Sequence, residues 1–216
     1  LGGSLLLTPV IERLAVRLGA MAVPSRRCVH KDPTPLWGGI AIATGAVTAV
    51  LIGLIFSERM LLFIDSRTQR WMLGFLIGGT LMLALGMVDD KYRISAKAKL
   101  AGQIAIAFIM VKFGIAITFL NVPVLGFVYL PEWLSIALSI FWIVGLTNAI
   151  NLLDGLDGLL AGVSTIFALL FFVVALVKGQ FIVALCMMGL AGGCLGFLRY
   201  NFNPARIFMG DTGSLF

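Results

Sequence analysis

Four short segments and one lysine hold most of the residues able to do chemistry. Gly86-Met87-Val88-Asp89-Asp90 ends an apolar run in two adjacent carboxylates. At the C-terminus of a helix the dipole disfavours each anion by about 0.3–1 kcal/mol. The two acids also repel one another, so a cation or cationic partner would offset both penalties. Lys91 and Arg93 could balance them at a wet surface instead. In Asn148-Ala149-Ile150-Asn151-Leu152-Leu153-Asp154-Gly155-Leu156-Asp157-Gly158, the two aspartates share one turn, and so do the two asparagines. Gly155 and Gly158 let a ligand or another backbone approach closely. A helix N-cap accounts for one of these aspartates, not for the whole cluster. Asn201–Ser214 sets Asp211 beside glycines and hydroxyls, a hard oxygen environment suited to Mg²⁺ and phosphate, or else a polar interfacial turn. Ser25–Gly39 carries Arg26, Arg27, His30 and Lys31, cations able to hold a lipid headgroup or nucleotide phosphate, or to form an ordinary basic loop. Its Gly38-Gly39 pair equally suits close helix packing. Lys99, with Gln103 one turn on, opens another helix and fits a phosphate contact or a snorkelling interfacial lysine.

These residues sit in an oily chain. Of 216 residues, 60% are hydrophobic and 12% charged, with a mean hydropathy of +1.06. A soluble domain is about 45–50% apolar and about 25% charged. So little charge cannot coat a globule in water, which excludes a water-soluble enzyme, a disordered tail and a nucleic-acid-binding domain. The net charge of +6 is spread along the chain, as in the loops of a membrane protein.

A helix needs about 20 apolar residues to cross a bilayer. Suitable runs are Pro33–Ser57, Trp71–Val88, Phe113–Pro131, Trp133–Leu153, Gly158–Val177 and Gly179–Leu198. Leu1–Ala20 is a weaker span, and a helix is expected from about Lys97 to Ala116. Asn121, Pro123, Gly126 and Pro131 make Ile117–Pro131 a loop or short hairpin. The expected fold is all-α and polytopic, with about seven spans and the start of an eighth, in one domain over residues 1–216. The opening Leu1 and the apolar ending suggest a piece of a longer chain. Cys28, Cys186 and Cys194 have no zinc spacing and read as free thiols.

Alternate loops differ in charge. One set (21–37, 89–98, 148–158, 199–213) holds Arg26, Arg27, Lys31, Lys91, Arg93, Lys97, Lys99, Arg199 and Arg206. The other holds Arg59, Arg67, Arg70, Lys112 and Lys178. The basic set is therefore expected in the cytoplasm. Asp32, Asp89, Asp90, Asp154, Asp157 and Asp211 fall on that face, with the single histidine, His30. Glu58, Asp65 and Glu132 fall opposite, and Glu12 lies in the first helix. Ionisable groups from several helices converging at one bilayer surface predict a functional site.

In this order, HKDPTPLWGG, the DD of GMVDDKYRISAKAKLAGQ, NAINLLDGLDGLLAG and NFNPARIFMGDTGSLF resemble the polyprenyl-phosphate N-acetylhexosamine-1-phosphate transferase family, the glycosyltransferase family 4 type. The resemblance implies a bacterial inner-membrane protein of about ten spans. Its active site would face the cytoplasm, and a homodimer stays open as its assembly. The activity implied is transfer of a sugar 1-phosphate from a UDP-sugar to polyprenyl phosphate, with Mg²⁺ (or Mn²⁺) and release of UMP. The details favour N-acetylglucosamine 1-phosphate passing to undecaprenyl phosphate, the first lipid-linked intermediate of a cell-envelope polysaccharide. Thr34-Pro35 favours the muramoyl-pentapeptide branch as runner-up. By the same resemblance Asp211 would be the metal ligand. Asp89, with Asp90 beside it, would position or deprotonate the attacking phosphate, and Asp154 would lie near the metal. Asp157, Gly155, Leu156, Lys31, Asn148, Asn151, Asn201 and Phe208 would serve the nucleotide, and Lys99 and His30 a phosphate.

Other classes predict other patterns. An aspartate-rich membrane prenyltransferase would carry two DxxxD-like clusters, and a CDP-alcohol phosphotransferase a longer run of acids in one helix pair. A transporter would hold its acids near mid-membrane rather than at the ends of spans.

Overall fold

The structure, a computed structural model, describes residues 1–22, 33–56, 65–123 and 126–216. Arg26, Arg27, Cys28, His30, Lys31, Asp32 and Glu58 lie outside the described residues.

The chain is built of helices. They are α1 (Gly2–Leu18), α2 (Gly38–Phe56), α3 (Ser66–Tyr92), α4 (Ala96–Lys112), α5 (Glu132–Leu153), α6 (Leu159–Val177), α7 (Phe181–Asn201) and the short α8 (Gly210–Ser214). Two small antiparallel pairs accompany them: β1 (Met21–Ala22) with β2 (Thr34–Pro35), and β3 (Phe119–Val122) with β4 (Gly126–Tyr129). The β3–β4 hairpin stands where the Asn, Pro and Gly punctuation predicts one, with Gly126 at φ 76°.

Helix ends follow local chemistry. The third helix is longer than the apolar run Trp71–Val88. It starts at the Asp65 cap, whose carboxylate accepts from Thr68 N at 2.8 Å, and runs through Asp89 and Asp90 to Arg93 in a left-handed conformation. Ser95 caps α4 by accepting from Ala98 N at 3.3 Å. That helix stops at Lys112, short of the expected Ala116, because Gly114 takes φ 93°.

Among the described residues five helices, α2, α3, α5, α6 and α7, are long and apolar enough to cross a membrane. With 17 residues each, α1 and α4 stand at the short end of the roughly 17–25 residues that a crossing takes. Phe56, Phe75, Phe141, Ile166 and Val177 are exposed on the outside of the bundle. In water such a surface would drive aggregation; in lipid it is the expected one. The protein is an all-α, multi-pass membrane protein.

The helices form two groups. In the first, α7 packs on α6, α2 and α1 around Ile11, Ile42, Leu160 and Phe197. In the second, α4 packs on α3 and α5 around Met82, Ile106 and Met110. The short helix α8 lies between them, touching α2, α3 and α5. Ile207 and Met209, just before it, belong to the first core, and Leu215, just after it, to the second. Glu12 of α1 pairs with Arg206 at 3.1 Å, fastening the approach to α8.

Small residues make this insertion possible. A Cβ on Gly86 of α3 would lie 2.3 Å from Asp211 O, and one on Gly39 of α2 would lie 2.3 Å from Gly213 Cα. Backbone bonds seal the same junction. Phe208 N donates to Pro35 O at 2.8 Å, Gly38 N to Phe208 O at 3.0 Å, and Gly39 N to Met209 O at 3.2 Å.

Gly86→Ala should therefore destabilise the protein by about 1–3 kcal/mol through overpacking. Gly145→Ala, at a site where a Cβ meets nothing within 4 Å, should be neutral or stabilising by up to ~1 kcal/mol. Thermal melting in detergent compares them, and equal midpoints would refute the close approach of α3 to α8.

Candidate active site

The site begins with the acid pair at the end of α3. Its two members do different things. The Asp90 carboxyl turns to the start of α8: Oδ1 accepts from Asp211 N at 2.8 Å, and Oδ2 from Thr212 N at 3.1 Å and Thr212 Oγ1 at 2.5 Å. The preceding amide, Gly210 N, is directed to Asp154. Gly210 holds φ 69°, and a Cβ there would lie 2.5 Å from Asp90 Oδ2. The C-terminal turn of one helix thus meets the N-terminal turn of another through a carboxyl. That contact offsets the unfavourable dipole at Asp90 with the favourable one of α8. Lys91 and Arg93, the balancing cations suggested by the sequence, are exposed, and the Lys91 ammonium lies over the Tyr92 ring at 5.3 Å.

The Asp89 carboxyl turns to Lys99, with Oδ2 at 2.9 Å from Nζ. The same ammonium donates to Asp211 Oδ2. Asp211 Oδ1 accepts from Asn151 Nδ2 at 2.6 Å, and Asn151 also donates to Ser214 Oγ at 2.7 Å. Lys99 therefore bridges acids from α3 and α8, while α5 supplies the amide. The Asp89 and Asp211 carboxyls also contact each other. Two carboxyls in contact are held by a shared proton or by a cation.

One turn further from this end of the bundle, Asn148 Nδ2 donates to Gln103 Oε1 at 2.7 Å and to Val144 O at 2.8 Å. Gln103 is fully buried. Its signal in the chain is its position four residues after Lys99. Thr212 and Ser214 stand in the chain only as hydroxyls near Asp211.

The 154–158 turn lies beside the site. Asp154 ends α5 and caps neither helix by its side chain; Gly158, at φ 72°, is the residue before α6. Asp157 Oδ2 accepts from Asn203 Nδ2 at 3.1 Å and Ala205 N at 3.0 Å. The buried Asn201 accepts from Gly158 N at 3.1 Å and donates to Ile207 O at 3.0 Å. It staples the 154–158 turn to the approach to α8. Gly155 and Leu156 are exposed in the turn, and Phe208 is half-buried in the strand-like junction with Pro35 and Gly38. Asp89, Asp90, Asp154, Asp211, Lys99, Asn148 and Asn151 thus gather at one end of the bundle, with Asp157 and Asn201 in the adjoining loops. Lys31 and His30 lie outside the described residues. Cys186 and Cys194 are free.

Asp211 and Asp89 are the groups best placed to take a divalent cation. Among the described residues no set of three His, Cys, Asp or Glu side chains forms a metal-binding group. Mg²⁺ commonly takes one or two carboxylates and completes its shell with water and substrate phosphate. The donor set, carboxylate and amide oxygens with no His or Cys, fits that habit of a hard cation.

A helical membrane protein with acids, amides and one lysine gathered at the ends of its helices is the class defined so far. Known proteins make it specific. The profile of glycosyl transferase family 4 matches residues 72–216. The chain is 42% identical over 212 residues to the probable undecaprenyl-phosphate N-acetylglucosaminyl 1-phosphate transferase of Bacillus subtilis (strain 168), covering 98% of this chain and 56% of that protein. It is 39% identical over 215 residues to the decaprenyl-phosphate N-acetylglucosaminephosphotransferase of Mycolicibacterium smegmatis, covering 95% and 52%. It is 38% identical over 199 residues to the phospho-N-acetylmuramoyl-pentapeptide-transferase of Listeria welshimeri, covering 86% and 58%. This chain belongs to glycosyl transferase family 4. It spans about half the length of the curated relatives it matches.

Electrostatics separate the acids. Burial, with the nearby charges of Asp90 and Asp211, pushes the Asp154 carboxyl up to about 7. Burial would also raise Asp211, but its hydrogen bonds with Asp89, Lys99 and Asn151 prevail and hold it below its ordinary value. A raised carboxyl binds its proton more tightly folded than unfolded. Asp154 therefore favours folding below its ordinary value of 3.8, and that contribution fades as pH rises towards 7. In metal-free buffer, Asp154→Asn should gain stability relative to the parent between pH 5 and pH 8, by a few kcal/mol at most. Thermal midpoints of both proteins across that range test it; a pH-independent difference would contradict the raised carboxyl.

Proposed function

We propose that this chain is the part of a membrane phosphoglycosyl transferase that carries its phosphoryl-transfer site. The complete enzyme moves N-acetylglucosamine 1-phosphate from UDP-N-acetylglucosamine to undecaprenyl phosphate. An oxygen of the lipid phosphate attacks the sugar-bearing phosphorus. The bond between the two phosphates of the nucleotide breaks, and UMP leaves. The observation that carries the reading is Lys99 held between Asp89 and Asp211 at one end of the helices, beside the Asn151 amide. Both substrates are anionic, and a lysine between two acids supplies compensating charge without leaving a net positive hole when the site is empty.

Asp211 and Asp89 would hold Mg²⁺, whose charge would neutralise the diphosphate and stabilise the leaving phosphate. Asp89 orients the attacking lipid phosphate. A phosphate monoester has its second pKa at about 6, so at neutral pH orientation matters more than proton removal. Lys99 meets a phosphate oxygen. Asp90 acts through Asp211 as a positioning residue, since its hydrogen bonds go to the backbone that carries Asp211. Asp154 stands at the edge of the phosphate site. Asn151, with Asp157, Gly155, Leu156, Phe208 and Lys31, serves the nucleotide, and His30 a phosphate. The site faces the cytoplasm, where the basic loops fall and where UDP-sugars are made.

The muramoyl-pentapeptide branch is the second reading, favoured by the Listeria relative and by Thr34-Pro35.

The test is transfer of labelled sugar phosphate to lipid by the complete protein, with each of the two UDP-linked donors. Asp89→Asn and Asp211→Asn should each lower turnover by about 10²-fold or more. Near-normal UMP release from either variant would remove that residue from the mechanism, and transfer from the pentapeptide donor alone would select the second reading.

A further inference from the structure

Helices α4 and α5 run antiparallel: Lys99 near the start of α4 and Asn151 near the end of α5 meet at Asp211, and one turn in Gln103 meets Asn148. Their facing sides carry a two-rung polar ladder. The outer rung is Lys99 and Asn151, which share Asp211. The inner rung is Gln103 and Asn148, which exchange amide hydrogen bonds in both directions, at 2.7 Å and 3.4 Å. Residues one turn apart stack on one face of a helix, so each inner residue lies beneath its outer counterpart. Beyond Gln103 the same face of α4 continues with Ile106 and Met110, which pack against Met82 and Leu215. The inner rung is thus the last polar layer before a wholly apolar one.

We propose that the Gln103–Asn148 amide pair is a positioning device that sets the axial and rotational register of α4 against α5. Lys99 and Asn151 then reach Asp211 together. Apolar side chains in a lipid-embedded bundle do not specify register well, because sliding by a fraction of a turn exchanges one hydrocarbon contact for another. A reciprocal amide pair specifies it sharply. A slip breaks both bonds and strands amide groups where no water can satisfy them. Interhelical bonds of this kind are worth only about 0.6–2 kcal/mol each, so the pair chooses among packings more than it holds the helices together. Gln103 thereby acts on catalysis without touching substrate. Asn148 acts the same way, in place of the nucleotide contact suggested by its sequence. The catalytic half of this inference rests on the proposed transfer reaction; the register half does not.

Three variants of the complete protein decide it. Gln103→Leu should lower kcat by about tenfold or more while KM for the UDP-sugar moves by less than about threefold. Gln103→Leu with Asn148→Leu removes both polar groups and should melt near the parent, since losing both partners can be close to neutral, yet its kcat should stay low. Gln103→Asn with Asn148→Gln restores an amide pair of the same total length and should bring kcat back to within about threefold of the parent. Normal kcat in the first two variants, or a swapped pair as poor as the single, would overturn the proposal. So would a rise in KM without loss of kcat, which would make Asn148 a nucleotide contact.

A second measurement is independent of activity. Spin labels at the exposed positions Ile104 and Leu152, in a cysteine-free background, should give a single narrow distance in the parent and a broadened one in Gln103→Leu. An unchanged distribution would overturn the register half. A complete parent protein that transfers no sugar phosphate would instead refute the proposed function, and the spin distances would still judge the clamp.

Discussion

The Asp90 carboxyl binds the first amides of a five-residue helix that sits between two groups of membrane helices. Without that contact α8 would have exposed donors at a low-dielectric junction, and α3 an acid against its own dipole. Each end answers the other's electrostatic deficit. The contact requires near-touching backbones, hence Gly86 and Gly39 flanking α8 and Gly210 at its start. It also presents Asp211 to Lys99, Asp89 and Asn151. The packing of two helix groups and the assembly of the candidate site are therefore the same event.

Adjacent acids in sequence end up with unlike tasks because a helix turns about 100° per residue. Asp89 faces α4 and its lysine; Asp90 faces α8 and its amides. One position is paired with a side-chain cation, while the other is committed to the fold. The asparagines show the same division one turn apart on α5. Asn151 reaches Asp211, and Asn148 spends its amide on Gln103 and the Val144 carbonyl.

Several features were legible in the chain before any fold was known. Charge-free runs located the helices, since a bilayer forbids unpaired backbone and only long apolar helices satisfy it. Pro123 and Gly126 announced the hairpin. The scarcity of charge made the acids conspicuous, and the even number of helices between successive acidic segments puts them at one end. Less legible were the partners. Lys91 and Arg93 are nearer in sequence to the acid pair than Lys99 is, yet the end of α3 turns them outward. Asn201 resembles a ligand residue by its motif, but its amide bonds to Gly158 and the Ile207 carbonyl. Gln103 reads as an ordinary helix residue because nothing in its own segment reveals the amide opposite.

Hydropathy and spacing along the chain suffice to mark a multi-pass membrane protein and to place Asp89, Asp90, Asp154, Asp157 and Asp211 at one end of its spans. Both follow from periodicity and hydropathy, which are local properties of a chain in lipid. Which acid holds a lysine, which holds a helix, and which amides pair across α4 and α5 emerge only when the helices pack. Those outcomes depend on the rotation and depth of each helix relative to its neighbours. Contacts between distant segments set both, Gly86 against Asp211 above all, and no single segment encodes them.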